Sequence, residues 1–166
     1  MDQAYFEYLN IDDQAISWLN EFENLIVSRT FSKAYGLAGL RVGYSICSPL
    51  IADYINRVRE PFNVNHTAQM AAIAALNDVE YLEDSVKLNT DGYEQLTNGF
   101  KALNLNYIPS YANFIAVEFD DAMSIYNNLL KEGVIVRPVE MKGFLRISIG
   151  TANENMHLLE ALEKVL

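Results

Sequence analysis

In the stretch TFSKAYGLAGLR, Lys33 stands directly behind Thr30 and Ser32 and eight residues ahead of Arg41. A lysine amine attacks a carbonyl only when neutral, so a catalytic lysine must be desolvated or set beside positive charge. A site that binds a phosphorylated aldehyde can provide both. Thr30, Ser32 and Arg41 could supply its anion contacts, as two hydroxyl donors and a planar guanidinium able to grip a phosphate with paired hydrogen bonds. Gly36 and Gly39 would let the backbone turn closely around such a ligand. The stretch is no Walker A loop, because Ser32 precedes the lysine and Ala34 follows it. Spacing alone equally describes a polar loop with a solvated lysine.

Two further arginines draw attention. Arg137 and Arg146 lie in or at the end of the apolar runs GVIVRP and FLRISIG, where burying a guanidinium is costly unless it is paired. Either they bind an anion or they sit at a strand edge with water or an acidic partner. His66 and His157 have no cysteine or carboxylate partners at metal spacing, so no metal site is expected. The single cysteine, Cys47, reads as a small core residue, and Asp12 and Asp13 as acids at a helix start.

The elements that must position these residues follow from periodicity. Ile16, Leu19 and Phe22 predict a helix over 11–23. The β-branched runs 24–30 and 41–47 predict buried strands, with the lysine stretch as the loop between them. Ser48 as N-cap and Pro49 at the first helical position open a helix that Pro61 ends. Alanine-rich 65–76 predicts another, and 78–103 a long one. The tail predicts strands at 113–119, 133–138 and 144–150, with helices near 121–132 and 153–165. Only two strands precede the long helix, and none precedes Asp2 to hold it in place, so the chain reads as the later part of something larger.

The composition is that of a globular domain, with 166 residues, 51% hydrophobic and 20% charged. A net charge of −10 argues against a protein that wraps nucleic acid, so any anion site must be local. No apolar run reaches the length of a membrane span, and one cysteine makes no intrachain disulfide, so a reducing cytoplasm is expected.

From the lysine outward, SRTFSKAYGLAGLRVGY resembles the lysine segment of aminotransferases that use pyridoxal phosphate, in the fold type I superfamily. With PFNVN, ANFIAVEF, GVIVRP and LRISIGT following in order, the chain resembles more narrowly the histidinol-phosphate aminotransferases. The resemblance implies an α/β fold: a remnant of the cofactor-binding large domain (1–77), a bridging helix (78–103) and a small C-terminal α/β domain (104–166). Lys33 would be the covalent anchor of pyridoxal 5'-phosphate and the proton shuttle. Thr30, Ser32 and Arg41 would hold its phosphate, Asp2 would pair with its pyridine nitrogen, and Tyr5 would hydrogen-bond its phenolic oxygen. Arg146 would bind the anionic end of the substrate and Arg137 the phosphate of histidinol phosphate. Where the family reads D-E-A-Y, this chain has Gln3.

The implied reaction moves an amino group between histidinol phosphate and 2-oxoglutarate, in histidine biosynthesis. Aromatic amino acids, or decarboxylation of phosphothreonine, are alternatives within the subgroup. The resemblance covers only the later half of the family's chain, so a non-catalytic fragment with structural or partial binding capacity is the reading from another class. An exposed half-sheet would drive association, as a homodimer or a higher species.

Overall fold

A computed structural model describes residues 1–9, 11 and 13–166; Asp12 lies outside the described residues. The chain divides into two compact units, Met1–Ser85 and Val86–Leu166.

In the first unit, β1 (Ile26–Thr30) and β2 (Gly43–Cys47) pair antiparallel, with Ser28 opposite Ser45 and Thr30 opposite Gly43. The first residues lie beside β1 through a single bridge. Asp2 bridges in parallel to Ser28, with Ser28 N donating to Met1 O at 3.0 Å and Gln3 N to Ser28 O at 2.9 Å. Asp2 is thus held by a strand that follows it in sequence.

The expectation that these strands are buried is corrected, for Val27 is the one buried residue in β1 and β2 has none. A small core of Phe31, Val42, Ala68 and Ala72 forms instead beside the sheet, where α3 (His66–Asn77) packs its alanines. α2 (Pro49–Val58) begins as its caps require, with Ser48 Oγ accepting from Ile51 N at 3.4 Å, yet it buries no residue.

The predicted first helix is also shorter than its pattern. α1 (Gln14–Ser17) gives way to a 3-10 turn at Trp18–Asn20, and Phe22 is exposed. Only Ala15 is buried in α1, and a short helix without a packed face lacks the tertiary contacts that sustain most helices.

α4 (Val79–Ala102) runs from the first unit into the second. The second unit carries a four-stranded antiparallel sheet in the order β3 (Tyr107–Ile108), β4 (Phe114–Glu118), β6 (Phe144–Ser148), β5 (Arg137–Pro138). Register sets the core: Ile115 faces Ile147 and Val117 faces Leu145, all of them buried. With Leu96, Phe100, Leu129, Leu158 and Leu162 they form one apolar cluster, each such side chain contributing about 1.5–3 kcal/mol. α5 (Ala122–Lys131) and α6 (Ala152–Val165) complete the unit, α6 opening with a Thr151–Glu154 capping box.

The predicted strand over 133–138 shrinks to its last two residues. Val134 and Val136 still turn into the core while Ile135 points out, and Pro138, with no N–H to donate, closes the ladder.

Candidate functional site

The lysine loop leaves β1 at Thr30 and is pinned by Phe31. Phe31 N donates to Val42 O at 3.2 Å, and Leu37 N to Phe31 O at 2.9 Å. The Phe31 ring packs against Tyr35 and Tyr44 at centroid distances of 5.0 and 5.7 Å. Between these anchors Gly36 takes a φ of +70°, closed by its N–H donating to Lys33 O at 2.9 Å. A Cβ there would stand 2.4 Å from the Tyr81 hydroxyl, so glycine serves both the backbone and the packing.

Five of the predicted side chains, Thr30, Ser32, Lys33, Arg41 and Tyr5, meet at this loop. Arg41, itself left-handed at φ 53°, donates through Nη1 to Ser32 Oγ at 3.3 Å and to Ala38 O at 2.9 Å. Ser32 N donates to Thr30 Oγ1 at 3.1 Å. Lys33 is half-buried, its Nζ 5.3 Å from the centroid of the Tyr5 ring. Asp2 is exposed, with Oδ1 accepting from Ala4 N at 2.9 Å. The donor set fits a phosphorylated aldehyde: a primary amine beside an aromatic ring, and a guanidinium already turned toward a serine hydroxyl.

Sequence reasoning missed the groups behind Asp2 and Tyr5. Arg29 is paired with Asp13, donates through Nε to Gln3 Oε1 at 3.1 Å, and lies 4.2 Å from the Phe6 ring centroid. Gln3 Nε2 completes the triangle on Asp13 Oδ1 at 3.1 Å. Asp13 stands at the N-cap of α1 without capping it, its carboxylate engaged by Arg29 instead. The signal was present: an arginine inside the apolar run NLIVSRT demands a partner just as Arg137 and Arg146 do.

Glu7 also faces this arginine. Both of its carboxylate oxygens are closed off from solvent, with no partner among the described residues beyond a weak approach of its own backbone N–H. Burial pushes its carboxyl above the usual range, against the lowering influence of its own backbone N–H and of Arg29. The Tyr35 phenol is raised as well, first by burial and then by the charge of Glu7.

Arg137 and Arg146 belong to the second unit, where they are Cα partners across β5 and β6. Arg137 is exposed; Arg146 is half-buried, with its guanidinium 4.8 Å from the Phe114 ring centroid and its Nε shut in without a hydrogen bond among the described residues. Cys47 is half-buried at the end of β2, and His66 and His157 are exposed. Among the described residues no cluster could hold a metal ion, and no helix is long and apolar enough to cross a membrane.

The sequence matches the profile of aminotransferase class I and II over residues 1–162. The chain belongs to that family. It is 55% identical over 171 residues to a histidinol-phosphate aminotransferase of Methylobacillus flagellatus, covering all of this chain and 46% of that protein. The family chain thus spans about half the length of the curated relatives it matches.

Its structure is similar to histidinol-phosphate aminotransferase from Sinorhizobium meliloti in complex with pyridoxal-5'-phosphate. There the TM-score is 0.89 at 33% identity, over 99% of this chain and 47% of that one. A putative histidinol-phosphate aminotransferase from Erwinia carotovora atroseptica gives a TM-score of 0.90 at 27% identity, over 98% and 49%. The architecture is therefore α/β, a portion of the fold type I aminotransferase fold.

Proposed function

We propose that this chain carries the lysine-bearing part of a pyridoxal-phosphate aminotransferase that exchanges the amino group of histidinol phosphate with 2-oxoglutarate. The observation that carries the reading is the convergence of Lys33 and Tyr5, with Arg41 and Ser32 joined beside them.

Lys33 Nζ would be the covalent anchor for the cofactor aldehyde and would serve as the base that moves the proton at the substrate carbon. Arg41, Ser32 and Thr30 would hold the phosphate of the cofactor. Asp2 would pair with the pyridine nitrogen and favour its protonated form, and Tyr5 would donate to the phenolic oxygen. When bound, pyridoxal phosphate supplies an electron-withdrawing ring that stabilises the charge left on the substrate carbon. Arg146 binds the substrate's anionic end, and Arg137 the substrate phosphate. In this reading 1–77 belongs to the cofactor-binding domain, 78–103 is a bridging helix, and 104–166 is the small domain. The enzyme acts in the cytoplasm as a homodimer or higher association. That association is supported by the exposed apolar side chains of Val58, Phe62 and Ile73.

The test is direct. Pyridoxal phosphate is added, the visible absorption recorded, the protein reduced with borohydride and the modified peptide mapped. Label confined to Lys33 supports the site; label scattered over surface lysines overturns it. Transfer from histidinol phosphate, assayed beside an aromatic amino acid and phosphothreonine, then decides the substrate.

A second reading, structural or partial ligand-binding capacity only, is favoured by the exposure of Asp2 and Arg41. Lys33 labelling without amino transfer would support it.

A further inference from the structure

Asp2 and Tyr5 each stand one residue ahead of a side chain that clamps onto Arg29. Gln3 takes the Arg29 Nε hydrogen bond at 3.1 Å, and Phe6 lies under the guanidinium at 4.2 Å. Because Asp2 and Tyr5 are three residues apart, and so are Gln3 and Phe6, one arginine grips the segment on either side of Tyr5. Tyr5 is turned toward Lys33, and Asp2 is closed by its own turn onto Ala4 N. Asp13 holds the arginine from behind and accepts from Gln3 at 3.1 Å, so the amide of Gln3 donates to one partner and accepts from the other.

We propose that Arg29 is a positioning residue of the site, setting the directions of Asp2 and Tyr5 together through its grip on Gln3 and Phe6. The proposal rests on the reading given above for what Asp2 and Tyr5 do, but the clamp can be tested without it. It also accounts for Gln3. Arg29 already faces two carboxylates, Asp13 and Glu7, and a third acid at position 3 would set a carboxylate against Asp13 at hydrogen-bond distance. Glutamine keeps both hydrogen bonds without the charge.

The experiment is amide hydrogen exchange on the 166-residue chain, read on the peptide spanning residues 1–8, with β4 in the second unit as internal control. Arg29→Met keeps the aliphatic reach over Phe6 and removes every polar bond. It is expected to speed exchange in 1–8 by about ten-fold or more, with β4 unchanged. Gln3→Glu is expected to loosen the same peptide. Gln3→Glu/Asp13→Asn, which returns a neutral amide to the triangle, restores protection to within about two-fold of the starting protein.

Protection in 1–8 that survives Arg29→Met overturns the proposal. If Arg29→Met unfolds the first unit, recovery in the double variant supports the clamp and its failure overturns it. Where pyridoxal phosphate labels Lys33, Gln3→Glu should also shift the visible band and the double variant return it. No labelling in the unmodified protein defeats the cofactor reading and leaves exchange to judge the clamp.

Discussion

Arg137 and Arg146 stand directly opposite each other across β5 and β6, two guanidiniums on neighbouring strands. Like charges directly opposite are destabilising, on the scale of the roughly 0.2–1 kcal/mol of other cross-strand pairs, and an anion between them would relieve that cost. Arg137→Gln is therefore expected to raise the stability of the second unit by about 0.5 kcal/mol in phosphate-free buffer. Inorganic phosphate should stabilise the unmodified protein more than the variant. Denaturant titrations with and without phosphate check both; equal phosphate effects would count against an anion seat.

Lys33→Arg keeps the cation and removes the primary amine, so borohydride-fixed label at position 33 should vanish completely. Tyr5→Phe keeps the ring beside Lys33 and removes the hydroxyl, so label should remain at Lys33 while cofactor binding weakens by about ten-fold. Absorbance titration followed by peptide mapping separates the two outcomes.

Glu7 gives a pH dependence with a definite sign. Its carboxyl is raised in the folded chain, chiefly by burial, so its contribution favours the fold when protonated and is lost as pH rises from about 4.3, the ordinary glutamate value, through the folded value. Glu7→Gln should be more stable than the unmodified protein at pH 7, with the gap closing toward pH 4. Denaturation midpoints at the two pH values check this, and a gap that widens on acidification would refute it.

Gly92 reverses the usual helix rule. In an exposed helix interior Gly→Ala gains about 1 kcal/mol. At Gly92, inside α4, the added Cβ would lie 2.6 Å from Ile149 Cγ2 and 3.2 Å from the Gly150 carbonyl. Gly92→Ala should cost roughly 1–3 kcal/mol. Gly39→Ala, with nothing within 4 Å, should change stability by less than about 0.5 kcal/mol. Thermal melts of the two variants make the comparison.

Local signals in the sequence were enough to place the Thr30, Ser32, Lys33 and Arg41 loop, the start of α2 at Ser48 and Pro49, and the span of α4. Each rests on chemistry within a few residues: a hydroxyl capping a nearby amide, a proline preset for a first turn, a helical period. The run 133–138 was legible as a strand, but its pairing is confined to Arg137 and Pro138, and the inward turn of Val134 and Val136 with Ile135 outward was decided by the packing.

Tertiary structure decided what depends on partners far along the chain. Asp2 is placed by Ser28, and Asp13 is drawn from its helix cap to Arg29, because a half-buried guanidinium outbids an exposed cap for a carboxylate. The exposure of β1 and β2 likewise reflects which neighbours cover them, and β-branched composition alone carries no record of that.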